Sequence, residues 1–363
     1  MTTRTRRAAA RLVPAFASAF ALCAVSSAAH AAAIDSWCPV DASSAARDPA
    51  PALIARALKQ VDEPPHALAH IHTQGTLPHE GDHDASALAE HDFPRVRDAA
   101  LAWRLSGDKR LLAQVDAYLA AWAGTYVPSF DPIDETKLDG LFQAYTLTAP
   151  ELRPDTRAKA RDLLERLARG YVERIEGRTQ DARARTSSTW TNNWQSHRIK
   201  IVTMTAAALD DAELMATARA LYLNQLAINV RPDGSVIDFY ERDALHYVVF
   251  DLEPLVSAAL SAKAYGTDWL TLKAVNGATL AGGLDWLRPF AMGAQTHEEF
   301  VHTTVAFDRT RAKAGLAGFD GLWHPKGAAN LYWDASRLDA RYREIAEHLN
   351  PAGEAWQSLC TTP

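Results

Sequence analysis

Three stretches of this chain repeat one arrangement, an apolar helix, a two- or three-residue turn carrying aspartate, and a second apolar helix. The first runs over 95–105, breaks at Ser106-Gly107-Asp108 and restarts over 111–126. The second joins 203–209 to 214–226 through Asp210-Asp211, and the third joins 255–265 to 270–280 through Gly266-Thr267-Asp268. In the first copy Val96, Ala99, Ala100 and Trp103 fall on one helical face, and Leu112, Val115, Leu119 and Trp122 fall on another. Turns this short fold two helices back on each other. A repeated hairpin leaves an apolar face that only the next hairpin can cover, which predicts a mostly α-helical, stacked or toroidal array.

The rest of the chain supports that reading. Residues 51–61 and 154–176 fit further helices, the latter with Pro154 in its first turn, and 331–356 reads as a last helix. Strand signals are few, 236–239 being the best, with 300–307 after it. Residues 62–94 hold no period, are interrupted by prolines and glycines, and carry six of the thirteen histidines (His66, His70, His72, His79, His83 and His91). Long loops of this kind are disproportionately functional. No linker divides 50–340, so residues 32–363 read as one domain.

The first 31 residues read as an export signal. Arg4, Arg6, Arg7 and Arg11 precede an apolar run over 12–25, and Ala29-His30-Ala31 offers a small-x-small cleavage site. The run is too short and alanine-rich for a membrane span. Removing it takes four arginines and no acid, so a net charge of −6 becomes −6 − 4 = −10. So acidic a protein is a poor partner for nucleic acid. Two cysteines remain, Cys38 and Cys360, which in an oxidising compartment read as a disulfide joining the termini. The expected setting is periplasmic or secreted, and the chain reads as a monomer without a membrane partner.

The densest stretch is Thr191-Asn192-Asn193-Trp194-Gln195-Ser196-His197-Arg198, ahead of the apolar run 199–209. Asn192 or Asn193 suits an N-cap, because a short amide can accept from the first-turn N–H groups. Asn193 and His197 are then i and i+4, on one face. A satisfied capping network around a core histidine explains this as simply as a site does. A second stretch, Arg242-Asp243-Ala244-Leu245-His246-Tyr247, lies some fifty residues later. Together the two resemble the site of the helical-toroid polysaccharide lyases, with alginate (mannuronate) lyases the nearest family. In that family an Asn-Asn-His motif neutralises a substrate carboxylate, and an Arg…Ala-Leu-x-Tyr segment supplies a tyrosine. Here Trp194 stands at the histidine's place and His197 follows three residues later, a form similar to glucuronan-cleaving relatives. The resemblance spans roughly residues 100–260. It implies an incomplete (α/α) toroid of antiparallel hairpins, β-elimination of a β-1,4-linked polyuronate, and no cofactor.

Such elimination needs the charge of the uronate carboxylate offset, a C5 proton removed and the departing O4 protonated. Amide, imidazole and guanidinium serve the first need, a tyrosine the others. Asn193, His197, Arg242 and Tyr247 form that set, and Arg198, Gln74, His246, Trp190 and Glu135 are expected substrate contacts. Tyrosine as a base calls for a lowered pKa, which Arg242 and His246 would favour if cationic. Against this, Tyr247 could be a core aromatic and Arg242 an ion-pair partner of Glu241 or Asp243. His79-Glu80-Gly81-Asp82-His83 has i,i+4 histidines, but Gly81 and the missing apolar period argue against the helix that zinc spacing requires, so no metal is expected. Asp134 and Glu135 could be the carboxylate pair of an inverting glycoside hydrolase. A non-catalytic carbohydrate-binding protein is the third reading.

Overall fold

The computed structural model describes residues 37–178 and 187–360; the expected export signal lies outside them. Fifteen α-helices follow one another among the described residues. α1 is Ala50–Lys59, α2 His83–Glu90, α3 Asp92–Ser106, α4 Lys109–Thr125 and α5 Asp139–Thr148. α6 is Pro154–Gly177, α7 Asn193–Leu209, α8 Ala212–Asn229, α9 Ile237–Arg242 and α10 Leu245–Ala262. α11 is Leu280–Ala291, α12 Ala306–Lys313, α13 Ala329–Leu338, α14 Arg343–Leu349 and α15 Ala355–Cys360.

Two of the three expected hairpins form as read. α3 turns into α4 through Gly107, left-handed at φ 71°, and Asp108, whose side chain accepts from Arg110 N. α7 turns into α8 through Asp210, also left-handed, and Asp211, which caps Leu214 N. The third differs. α10 ends at Ala262, residues 270–279 are not helical, and the next helix waits for Leu280, where Thr279 accepts from Gly282 N. The last helix expected over 331–356 is three short ones, α13 to α15.

An inner arc runs α3, α5, α7, α10, α13, each packed on the next or bridged to it across the core, with α4, α6 and α8 behind. α7 is its keystone, buried along nearly its whole length and packed against α5, α6, α8 and α10. Only a glycine lets α3 and α5 approach so closely, since a Cβ on Gly140 would sit 2.1 Å from the Phe93 carbonyl oxygen. One continuous cluster of buried apolar side chains extends from Trp37 to Cys360. The Cys38–Cys360 disulfide ties the segment before α1 to the end of α15.

Three local readings are corrected. α3 begins at Asp92, with Pro94 tolerated in its first turn, where a proline's missing N–H costs no helical bond. Residues 83–90, expected to be irregular, form α2, although Gly81 is left-handed and breaks the chain before it. Neither expected strand exists: Val230 and Val236 make one isolated bridge, then 237–242 coil into α9, and 306–313 form α12.

Candidate active site

Asn192 caps α7, its side-chain oxygen accepting from Trp194 N at 3.2 Å while its amide nitrogen donates to Glu241 at 3.0 Å. That puts Asn193 and Trp194 at the mouth of the arc. Asn193 is held from below by Asp238 on α9: its backbone N donates at 2.8 Å to one carboxylate oxygen, and its side-chain amide donates to the other. The amide keeps a second N–H, and its own oxygen has no partner. Burial raises the Asp238 carboxyl to about 7.

The N-terminus of α10 lies beside it. No local side chain caps this helix; Glu299 does so from a distant loop, accepting from Leu245 N at 2.7 Å and His246 N at 3.1 Å. Burial lifts Glu299 to about 7. Tyr247 follows in the first turn, packed with Phe250, Phe300 and Phe319 in a small apolar cluster of its own. The Arg242 guanidinium lies 3.8 Å over its ring, and the Arg311 Nη1 donates to its hydroxyl at 2.8 Å.

These groups converge on a cleft of about 420 Å³ whose polar lining is Gln74, Asn193, Arg242, His246, Tyr247 and Arg311, with Trp194 and Phe250 among the apolar walls. Among the described residues, two guanidiniums and no carboxylate line it. Both arginines favour the Tyr247 phenolate, Arg242 as the sequence implied, but burial outweighs them and the phenol is raised above its ordinary value. The His246 ring is solvent-exposed in part. The protein mass around it, then Arg311 and Arg242, still push its imidazole down, so it is neutral at pH 7 and adds no positive charge to the tyrosine.

The family model described as alginate lyase matches residues 35–300, most of the 363-residue chain. The chain belongs to the alginate lyase family. It is therefore a polysaccharide lyase. An alginate lyase from Bacteroides ovatus is similar over 92% of this chain and 98% of its own, at 15% identity and a TM-score of 0.63. A histidine-to-alanine variant of alginate lyase A1-III, an enzyme of a Sphingomonas species, is similar over 82% of each chain, at 15% identity and a TM-score of 0.55. At these identities the likenesses speak for the helical fold alone. No curated protein sequence is similar to it.

The lyase chain does not gather every residue that its sequence singled out. Gln74 reaches the cleft because Asp134 pins its loop, accepting from Gln74 N at 2.7 Å, Thr73 N at 2.8 Å and His72 Nδ1 at 2.9 Å. His197 does not line the cleft. It faces a second space, a chamber of about 570 Å³ along the inner helices, and Phe250 is common to both walls. Its ring packs on Phe250, tilted by 49° with centroids 4.4 Å apart, and its Nδ1 lies 2.7 Å from Thr136 Oγ1. Nε2 has no hydrogen bond of good geometry. Pro254, four residues after Phe250, leaves the Phe250 carbonyl without its helical donor, and that carbonyl favours a proton on His197. Burial, then Lys200, hold the imidazole well below its ordinary pKa, so it is neutral.

Glu135 is a correction to the expected contacts. Wholly buried, it accepts from the Tyr126 hydroxyl at 2.8 Å, Ser129 N at 2.8 Å and the Tyr171 hydroxyl. With Asp134 spent on its loop, the expected hydrolase pair is consumed by structure. Trp190 and Arg198 also lie off the cleft: Trp190 sits in a 3₁₀ turn before the cap, and the Arg198 guanidinium lies 3.8 Å over its ring. Four of the six histidines over 62–94 pair with aspartates, His79 and His83 both with Asp84, His66 with Asp92 and His72 with Asp134. Among the described residues no three metal-ligating side chains converge.

The sequence did not single out Arg311, Asp308, Asp238 or Phe250. A faint signal existed for the first two, which stand i,i+3 with opposite charge.

Proposed function

We propose that the chain cleaves a β-1,4-linked polyuronate, polymannuronate or glucuronan, by β-elimination, with Tyr247 as base and then acid. The observation that carries this is a tyrosine hydroxyl set among two guanidiniums and a buried amide, in a cleft lined by no carboxylate among the described residues. Such walls suit an anionic sugar and oppose nothing in it. Asn193, through its second amide N–H, and Arg242 meet the uronate carboxylate and draw charge away from C5. The Tyr247 phenolate takes the C5 proton; the released electron pair forms the C4=C5 bond as the C4–O4 bond breaks. The same phenol then returns its proton to O4. The C5–H pair becomes the new double bond, the C4–O4 pair leaves with O4, and the proton passes from C5 through the phenol to O4, so atoms and electrons balance without a cofactor. Mannuronate and glucuronate share their configuration at C4 and C5 and differ at C2, so one tyrosine serves both.

The test is Tyr247→Phe, which removes one oxygen and keeps the ring. Turnover, followed by the ultraviolet absorbance of the unsaturated uronate, is expected to fall at least about 10²-fold on polymannuronate and glucuronan, the scale for a positioned acid–base group. Binding of oligouronates persists, because Asn193 and Arg242 remain. Near-normal turnover in this variant sinks the mechanism, and reducing ends without the absorbance would indicate hydrolysis instead.

A further inference from the structure

We propose that Arg311, on α12, is a catalytic residue that holds the negative charge of the Tyr247 phenolate, with Asp308 the clamp that fixes both Arg311 and Arg242 against the tyrosine. The inference rests on the reading of Tyr247 as base. Two arginines contact that residue, and they do so differently. Arg242, the one that the sequence resemblance singles out, covers the ring face at 3.8 Å and is anchored by Asp308 at 2.5 Å. Arg311 reaches the oxygen itself, at 2.8 Å. A cation over the ring face meets the quadrupole of the ring; a donor on the oxygen meets the charge where it resides.

Asp308 is fully buried, accepts from Thr303 Oγ1 at 2.8 Å and lies 3.7 Å from Arg311, one helical turn away. One anion between two cations leaves an excess of one positive charge at the phenol, which is what a phenolate needs. Phe307 and Phe319 flank the Arg311 guanidinium at 4.3 and 5.0 Å from their ring centroids, limiting its access to water. The other groups facing Tyr247 are His246, its neutral neighbour, and Glu299, which caps the two N–H groups just before it. α12 begins at Ala306, beyond the residues 35–300 matched by the family model, so Asp308 and Arg311 lie outside the matched stretch while Arg242 and Tyr247 lie within it.

The test is turnover against pH for the wild type, Arg311→Gln, Arg311→Lys and Tyr247→Phe, with melting temperature checked for each. If Arg311 holds the phenolate, the rising alkaline limb of kcat in Arg311→Gln moves up by about one pH unit, so that turnover near pH 7 falls about tenfold and recovers in part at higher pH. Its KM changes less than its kcat. Arg311→Lys keeps the charge but loses the planar fork, and its limb moves up by a few tenths of a unit. A loss equal at every pH, or one confined to KM, overturns the proposal. Should Arg311→Gln fail to fold, Arg311→Lys decides alone, and an unmoved limb is then fatal. If Tyr247→Phe keeps its turnover, the base reading falls and this inference with it. If Tyr247→Phe is inactive and the limb stays put in the arginine variants, only Arg311 loses its role.

Discussion

The cleft and the chamber are built on the same two helices, yet their walls carry opposite chemistry. Asn193 and His197 are one turn apart on α7, Tyr247 and Glu253 less than two turns apart on α10, and in each pair the first faces the cleft and the second the chamber. Among the described residues the cleft holds Arg242 and Arg311 and no acid. The chamber sets Glu90, Asp139, Glu253, Asp334 and Glu354 against Arg97, Lys137 and Lys200, a formal excess of two negative charges. Its cations are spoken for, Lys137 by Glu90 at 2.6 Å and Lys200 by Asp139 at 2.8 Å. Burial lifts Glu253 to about 7. The charges of the first space suit the polyuronate proposed as substrate, and those of the second do not. Phe250 separates them, so a side chain's helical face does not by itself decide whether it meets substrate.

The largest contrast expected lies across Phe250. Where Tyr247→Phe costs turnover at least about 10²-fold, His197→Ala is expected to cost less than about tenfold in kcat, because a neutral imidazole in the chamber acts only by supporting Phe250. Its larger effect falls on stability, on the order of 2–4 kcal/mol for emptying a packed aromatic site. Thermal denaturation and kinetics of the folded protein separate the two. A hundredfold fall in kcat at unchanged melting temperature would bring the imidazole into the chemistry and merge the two spaces into one site.

A smaller effect sharpens the charge difference. Gln74→Glu puts a carboxylate in the cleft wall, and repulsion of a uronate is expected to lower kcat/KM by about ten- to thirtyfold, mostly through KM, and less at high salt. Ser257→Asp places the same charge in the chamber wall. It is expected to change kcat/KM less than about threefold. Equal losses from the two variants would mean that substrate threads the chamber as well.

The legible parts of this chain were those written locally. The hairpins α3–α4 and α7–α8, the Asn192 cap and the helix from Pro154 followed from period, turn residues and capping chemistry within a few positions. The Cys38–Cys360 disulfide followed from count and compartment. What failed depended on partners far along the chain. Residues 236–239 have a strand's composition, but Asp238 is pulled into a helix turn beneath Asn193, forty-five residues away. Residues 300–307 read likewise, yet Asp308 anchors Arg242 from sixty-six residues downstream and organises α12. Arg311 was invisible for the same reason: its value lies in a hydroxyl sixty-four residues upstream. Glu135 looked like a catalytic acid because sequence shows a carboxylate and not the hydroxyls that surround it.

The smallest expected effect concerns the acids under the cleft. Asp251 on α10 accepts from Ser196 Oγ at 2.7 Å and Asn229 Nδ2 at 3.2 Å with one oxygen, while the other has no partner. Burial, then the nearby Asp238 charge, hold its carboxyl well above the ordinary value of 3.8. A carboxyl raised in the folded state keeps its proton where the unfolded chain has released it. Its contribution to stability is therefore complete below about pH 4 and declines as pH rises toward the folded value. Asp238, pushed up to about 7, adds a decline of the same sign between about pH 4 and 7. Asp251→Asn keeps the accepting oxygen, removes the ionisation and offers a donor near Asp238 and Glu241. Its melting temperature is expected to match the wild type near pH 4 and to exceed it by about 1–3 °C at pH 8, with kcat within about twofold because no atom of the cleft changes. Melting curves at the two pH values decide the matter. A variant less stable than wild type at pH 8 would mean that the Asp251 charge is itself stabilising, and the acids beneath Asn193 would then be a built anionic cradle and not a cost of burial.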